Sequence, residues 1–220
     1  MSGCDLRVES APMDDLSARI GTILGGIASG LMPMAIFTPV YAIWAIFAWP
    51  TPGIIFFAAA VGWSAYLLVK AIRLISFARP LPHETNAFDA RISRGMAIVS
   101  SIQGGLILAS TILFIVLGVY IWILPTVALI VAVHFFPMPA IFGRTIDYHL
   151  GTAMLIVAAI GLFLAAHPDV NWTVTWGVTG IGAALVTSAY GLYIVRTANT
   201  MLRTYESLPK PSTSDAARTI

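Results

Sequence analysis

Charged residues are scarce in this chain, and their scarcity indicates the class of protein. Asp, Glu, Lys and Arg together make up 10% of the 220 residues, whereas 58% are hydrophobic, and the mean hydropathy is +0.87. A soluble domain carries about 25% charged residues, so this chain lacks the polar surface that would cover an apolar core in water. The composition therefore predicts an integral membrane protein, with the lipid bilayer as its first partner.

Cysteine and strong net charge are also lacking, and each absence excludes a class of site. Cys4 is the sole cysteine, which excludes an intrachain disulfide and a CxxC metal or redox site. The formal net charge is only +2, and no basic run with interleaved aromatics occurs. Nucleic acid is therefore not an expected partner.

Long charge-free runs predict the number of membrane crossings. No charged side chain occurs from Ile20 to Val69, which is too long for one crossing of about 20 residues. Trp49-Pro50-Thr51-Pro52-Gly53 divides this run with a turn composition and an interfacial tryptophan. Residues 1–19 are predicted to be a cytoplasmic N-terminal segment and residues 196–220 a disordered cytoplasmic tail. Between them we predict an all-α bundle of six transmembrane helices in three hairpins, at about 20–48, 53–77, 95–119, 121–142, 148–166 and 173–195.

The basic residues predict the orientation of this bundle. If the N-terminus is cytoplasmic, all 12 Lys and Arg fall in inner segments and the three outer turns contain none, as the positive-inside rule requires. Trp49, Trp122 and Trp172 then fall on the outer interface. The sequence therefore predicts a multi-pass protein of a bacterial inner membrane with both termini in the cytoplasm. The basic residues are Arg7, Arg19, Lys70, Arg73, Arg79, Arg91, Arg94, Arg144, Arg196, Arg203, Lys210 and Arg218.

Small residues predict how the helices pack, because lipid tails give helices no hydrophobic reason to associate and close backbone approach must supply the packing. We expect the glycines of the first, third and sixth helices to seat helices within one bundle. A homo-oligomer formed through the first helix is the alternative. Pro33 and Pro39 predict a kink in that helix. The glycines are Gly21, Gly25, Gly26, Gly30, Gly104, Gly105, Gly177, Gly180, Gly182 and Gly191.

The stretch from Val131 to Gly151 carries the candidate site. His134 lies in an apolar helix, and Pro137 and Pro139 follow it. Each proline removes a backbone donor and should leave nearby carbonyls without helical partners, so this turn should be buried in protein or face a wet cavity. Three roles fit His134: a hydrogen bond between helices, a proton relay or substrate contact in a cavity, and ligation of a metal or haem. Gln103, at a similar depth on the third helix, is its expected partner.

Asp147, Tyr148 and His149 open the fifth helix and complete the candidate binding residues. Asp147 either caps that helix, where its charge suits the helix dipole, or takes part in chemistry, and Arg144 could pair with it. No Asp, Glu, Lys or Arg lies at a helix centre, and HExxH, GxSxG and Gly-rich phosphate loops are absent. We therefore expect no catalytic residue, no metal and no cofactor, and an enzyme is the less favoured class.

His134-Phe135-Phe136-Pro137, followed by Ile141-Phe142, an aromatic residue and Gly151, resembles small multi-helix bacterial membrane proteins of unassigned function. The resemblance covers one hairpin and implies no activity and no site residue. Two functions follow from the residues themselves. The first is binding or passage of a small molecule or proton in a cytoplasmic-side cavity near His134. The second is a non-catalytic membrane subunit or scaffold that packs against a partner protein.

Overall fold

The computed structural model describes residues 11–80 and 87–206, and every regular element among them is helical. These residues also contain six stretches that are long and apolar enough to cross a membrane. The predicted all-α, multi-pass class is confirmed to that extent. The helices are α1 (Ala11–Ala42), α2 (Trp44–Ala48), α3 (Pro50–Ala78), α4 (Ala87–Val116), α5 (Ile123–Phe135), α6 (Met138–Phe142), α7 (Ile146–Ala165) and α8 (Trp172–Glu206), with a 3-10 turn at Tyr120–Trp122.

Several helices are longer than the apolar runs that predicted them. α1 begins at Ala11 and α4 at Ala87, where the sequence placed starts at 20 and 95, and α8 continues to Glu206. Residues 196–206, which the sequence assigned to the tail, are thus part of α8. Apolar composition marks the part of a helix that lies in hydrocarbon, whereas backbone hydrogen bonding continues into the interface. Residues 1–10 and 207–220 lie outside the described part of the chain.

Neither proline of α1 ends the helix. Pro33 and Pro39 both lie inside it, and the helical pattern is interrupted only at Ile43, whose N–H donates to the carbonyl of Pro39 at 3.0 Å. The short helix α2 follows directly. The candidate membrane-spanning stretch therefore continues from α1 through α2 to Ala48.

The centre of the bundle is α8. It contacts α1, α2, α3, α5 and α7, and the most apolar part of its span is 56% buried, the largest share among the six spans. α1 and α8 run in opposite directions, because Gly30 lies beside Ile194 and the buried hydroxyls of Thr38 and Thr187 are hydrogen-bonded at 3.0 Å. Every other spanning segment except α4 is therefore placed by its contact with α8.

The glycines of α8 lie where other helices approach it most closely. A side chain at Gly180 would collide with the backbone carbonyl of Tyr41 in α1. In α4, by contrast, a side chain at Gly104 or Gly105 would meet nothing within 4 Å. The predicted packing role is therefore wrong for these two α4 glycines within the described structure, and it is confirmed for α8. The other close approaches on α8 are those of Gly177 to Ala48, Gly182 to Val157 and Gly191 to Leu67.

The peripheral helix is α4. Among the described elements it contacts only α5, α6 and the 3-10 turn, and none of the most apolar part of its span is buried. Ile102 and Leu108 expose 59% and 63% of their surface. This much apolar surface is stable only when lipid or another protein covers it.

The two ends of the bundle differ in chemistry. At the end where α8 begins, the ring of Trp176 lies 4.5 Å from that of Trp44 and 5.3 Å from that of Trp172. Its Nε1 donates to the carbonyl of Ile121 at 3.1 Å, which ties α8 to the 3-10 turn. The basic residues of α3 and α8 lie at the other end of the bundle, towards the C-terminal ends of both helices. The candidate site residues are also at this basic end.

Candidate functional site

His134 lies in the last turn of α5 and faces α4. Its half-buried ring lies against the backbone carbonyl of Val99. Nδ1 is buried and has no hydrogen-bonding partner among the described residues. Gln103 lies one turn further along α4 and is half-buried, but no hydrogen bond joins these two described side chains. α4 therefore contributes the neighbour expected for His134, through its backbone and not through Gln103.

The chain keeps a helical conformation through the turn after His134, in spite of Pro137 and Pro139. Phe136 and Pro137 keep right-handed helical angles between α5 and α6. The N–H of Phe136 donates to the carbonyl of Val133 at 3.2 Å, and that of Ala140 donates to Pro137 at 3.2 Å. The Val133 carbonyl, which the sequence predicted to lack a helical partner, is therefore hydrogen-bonded. The two helices and the 3-10 turn form one span, Tyr120–Phe142.

Asp147 lies in the first turn of α7 and is completely buried. Its Oδ2 is 3.6 Å from Nε of Arg144, so the pairing that the sequence suggested is present. Nη2 of Arg144 also donates to the Tyr190 hydroxyl in α8 at 3.1 Å, and this hydroxyl lies beside Asp147. The guanidinium group of Arg144 also lies over the Phe142 ring, with Cζ 4.4 Å from the ring centre. We call Arg144, Asp147 and Tyr190 the ion-pair cluster.

The contacts of the ion-pair cluster join the start of α7 to α8. Thr145, not Asp147, is the N-cap residue of α7, and no side chain caps that helix. Neither oxygen of Asp147 meets strict hydrogen-bond geometry with a donor in the described structure, so the neighbouring Tyr190 hydroxyl and the Arg144 charge together compensate its burial. The predicted capping role is thus replaced by an ion pair that ties the start of α7 to α8. Gly143, at φ 68°, turns the chain between α6 and α7 and places Arg144 there.

Tyr148 and His149 lie on the surface of α7. Tyr148 is exposed, with its ring 6.3 Å from that of Phe136. His149 is exposed as well, and its Nδ1 lies 3.2 Å from the carbonyl of Thr145 one turn earlier. The structure thus does not bring the predicted binding residues together. His134 faces α4 from α5, and Gln103 lies on α4. Asp147 lies beside Tyr190 of α8, whereas Tyr148 and His149 are exposed.

Metal ligation is one of the three roles that the sequence allows for His134. No group of three or more His, Cys, Asp or Glu side chains among them is placed so that it could hold an ion. His134 in particular has the α4 backbone as its polar neighbour, and a carbonyl without further ligands does not make a transition-metal site.

A cleft of about 200 Å³ lies between α3 and α8, and none of the candidate binding residues predicted from the sequence lines it. We call it the α3–α8 cleft. Nζ of Lys70 donates to Oδ1 of Asn199 across it at 3.4 Å, and Nζ also lies 5.9 Å from the centre of the Tyr66 ring. The cleft is lined by Lys70, Arg73, Leu74, Phe77, Val195, Ala198, Asn199 and Leu202.

The ionisable residues that line the α3–α8 cleft are all cationic, and most of its lining is apolar. Two of its lining residues are cationic and none is acidic. Among the acidic side chains whose surroundings are described, Asp147 is paired with Arg144 and Asp169 lies in the turn between α7 and α8, towards the tryptophan end. Lys70 and Arg73 therefore face the cleft without a neutralising carboxylate in the described structure.

The spacing of the lining residues along α3 and α8 is a sequence pattern that indicates this cleft. On α3, Lys70, Arg73, Leu74 and Phe77 have the spacing i, i+3, i+4, i+7, and on α8 Val195, Ala198, Asn199 and Leu202 have the same spacing. Each set occupies one face of its helix. The sequence interpretation used the two basic residues only as indicators of orientation.

The fold defines the chain as an α-helical protein with six stretches able to span a membrane. No family model, no curated protein and no solved structure matches it. Its function is therefore argued from the geometry of these sites.

Proposed function

We propose that this is a multi-pass protein of a bacterial inner membrane that binds a small anionic molecule in the α3–α8 cleft. In this proposal the six spans form three hairpins, both termini lie in the cytoplasm, and the cleft is on the cytoplasmic side. The placement of all 12 basic residues on one side supports that orientation. The opposite directions of α1 and α8 also fit it, since an even number of crossings returns the chain to its starting side.

The observation that carries the proposal is that Lys70 and Arg73 line the cleft with no carboxylate beside them among the side chains that the structure describes. Lys70 is half-buried, and the neighbour that its Nζ contacts among the described side chains is the amide oxygen of Asn199. Arg73 lies one turn further along the same face. Two unit charges at 4 Å attract by about 4 kcal/mol at the effective dielectric constant of a protein surface. An anion placed between the two cations is therefore favoured, and the apolar walls formed by Leu74 and Leu202 suit a ligand with an apolar part.

Passage of a proton or small molecule near His134 was the leading interpretation of the sequence, and it has less support than the cleft. His134 faces α4, and the cleft lining does not include it. A role for His134 in contact between helices agrees better with this position.

A second function is favoured by one further observation. None of the most apolar part of α4 is buried, and Ala97, Ser101, Gly105 and Ala109 form a small-residue row on its exposed surface. Such rows let helices approach closely in membranes. A membrane subunit that packs against a partner helix would use this row. Ser101→Cys in native membranes should then form a specific cross-link under mild oxidation or with a bifunctional reagent, and Ile115→Cys, exposed elsewhere on α4, is the matched control.

The anion-binding proposal is tested with hexyl phosphate, which combines a phosphate with a short apolar chain. The full-length protein in a neutral maltoside detergent should gain melting temperature on addition of hexyl phosphate but not of hexyl glucoside, because a ligand that binds only the folded state stabilises it. Lys70→Gln and Arg73→Gln should abolish the gain. Arg203→Gln removes an exposed basic residue of α8 that does not line the cleft and should preserve it. An equal gain in all variants, or no gain in the wild type, would contradict the proposal.

A further inference from the structure

The depth of the α3–α8 cleft indicates where its ligand comes from. α3 begins at Pro50, directly after the interfacial residue Trp49. At a rise of about 1.5 Å per residue, Lys70 lies about 30 Å along the helix, which is the thickness of the hydrocarbon core of a bilayer. Lys70 is therefore level with the boundary between hydrocarbon and headgroups. Arg73, one turn further, lies among the headgroups.

The surroundings of the cleft favour a ligand that arrives from the lipid side. On α3, Val69 precedes Lys70 and Ile72 follows it by two residues, and these side chains expose 48% and 50% of their surface. Exposed apolar side chains of a spanning helix at this depth face lipid. The cleft itself has an apolar floor, since Leu74 and Val195 are buried. Any anion gives up hydration to enter it, and an anion that carries a hydrocarbon chain offsets part of that cost through the apolar contacts of the chain.

The polar groups of the cleft match a phosphate. Because an ammonium group can only donate, Oδ1 of Asn199 faces Lys70 and its NH2 group is left to donate to a ligand. Arg73 offers a planar fork that binds two phosphate oxygens, and Lys70 adds a point charge. Basic pockets between membrane helices on the cytoplasmic side suit anionic headgroups for this reason.

We propose that the α3–α8 cleft binds the phosphate headgroup of an anionic membrane lipid. Lys70, Arg73 and the Asn199 amide hold the phosphate oxygens, and the start of an acyl chain lies along Val195 and Leu202. This inference rests on the proposed anion-binding function of the cleft and names its ligand. A soluble phosphate ester has the same recognition chemistry, so the test must separate the two sources.

The test uses the full-length protein in a neutral maltoside detergent, with binding measured by native mass spectrometry and by the shift of melting temperature. The probes are phosphatidylglycerol, phosphatidylcholine with the same acyl chains, and glycerol 3-phosphate. We expect selective binding of phosphatidylglycerol and none of glycerol 3-phosphate. Arg73→Gln and Lys70→Gln should each weaken phosphatidylglycerol binding by about tenfold, the usual scale for loss of one charge-assisted contact. Lys70→Arg should retain most of it, and Arg203→Gln should bind like the wild type.

Three results would overturn the inference, and they differ in what they say of the function proposed above. If glycerol 3-phosphate binds as tightly as phosphatidylglycerol and the same variants weaken it, anion binding in the cleft stands and the lipid source is wrong. If phosphatidylglycerol, glycerol 3-phosphate and hexyl phosphate all fail to bind, both proposals are wrong. If phosphatidylglycerol binding is equal in the wild type, Lys70→Gln and Arg73→Gln, the lipid is held elsewhere. Arg73 is exposed, so its variant should fold even if a change at Lys70 impairs folding.

Discussion

Replacing Gly180 with alanine tests whether the close contact of α8 with α1 holds the bundle together. The added methyl group would meet the backbone carbonyl oxygen of Tyr41 and come within 3.2 Å of Cβ of Trp44. A backbone oxygen and a Cβ atom cannot rotate away, as the end of a long side chain can. α1 and α8 must therefore move apart to accept the methyl group.

The size of the effect follows from two opposing contributions. Alanine is favoured over glycine inside a helix by about 1 kcal/mol, so without the contact this substitution would stabilise the protein. Overpacking costs about 1–3 kcal/mol. Separation of the helices also weakens the buried hydrogen bond between Thr38 and Thr187, and such bonds in membrane proteins contribute about 0.6 kcal/mol. We expect Gly180→Ala to lower the free energy of unfolding by about 1–2 kcal/mol.

The assay is reversible unfolding of the full-length protein in mixed micelles, with dodecyl sulfate as denaturant and helix content followed by circular dichroism. Gly104→Ala is the matched control, because a methyl group there meets nothing within 4 Å. It should leave stability unchanged or raise it by up to about 1 kcal/mol. If Gly180→Ala proves as stable as Gly104→Ala, the reasoning from close approach is refuted.

Three further predictions concern the hydrogen bond, the ion pair and the topology. A double-mutant cycle with Thr38→Val and Thr187→Val should give a coupling free energy of about 0.6 kcal/mol in the same unfolding assay, and additive effects would mean that the bond contributes nothing. Arg144→Met leaves the buried Asp147 charge unpaired and should cost about 3–5 kcal/mol, whereas adding Asp147→Asn should recover part of that loss; no recovery would argue against the ion pair. Single cysteines at the proposed outer ends of the helices should react with impermeant reagents only from the periplasmic side, and labelling from the cytoplasm would contradict the six-span topology. Suitable positions are Pro50 and Ile123, the first residues of α3 and α5, and Asp169 in the turn between α7 and α8.

The number and class of the helices could be predicted because the bilayer imposes them. A run such as Ile20 to Val69 is too long for one crossing, and it divides into two stretches that are each long and apolar enough to span a membrane. Helix ends could not be predicted in the same way. α8 continues to Glu206, past Arg196 and Arg203, because charges are tolerated once the helix has reached the headgroups and nothing in its composition ends it there.

Contacts between near neighbours in sequence were predictable, and those between distant ones were not. The pairing of Arg144 with Asp147 follows from their i, i+3 spacing at the start of a helix. Tyr190 completes the ion-pair cluster from α8, and Asn199 reaches Lys70 from the same helix. Both depend on how α8 is rotated in the bundle, which is set by side-chain packing along its whole length.

His134 shows why depth in the membrane is insufficient to define a site. The sequence interpretation grouped it with His149, next to Asp147 and Tyr148, because His134 and His149 lie towards the same end of adjacent helices. Phe135, the next residue, is buried with its ring 5.6 Å from that of Tyr190, so this side of α5 faces α8 and the ion-pair cluster. Consecutive helical residues differ by about 100° in direction, and His134 consequently faces α4. Two polar groups can share a depth and still be separated by a helix.

Lys70, Arg73 and Asn199 share both depth and direction. They lie at the same end of α3 and α8, on the two faces that form the α3–α8 cleft, and a hydrogen bond across it joins Lys70 to Asn199. A ligand binds where polar groups converge on one volume, and here the converging groups are cations without a carboxylate in the described structure. The orientation rule accounts for basic residues at this end of the bundle, but it does not require two of them to face the same cleft. Convergence therefore favours this cleft over the surroundings of His134 as the place where the protein acts.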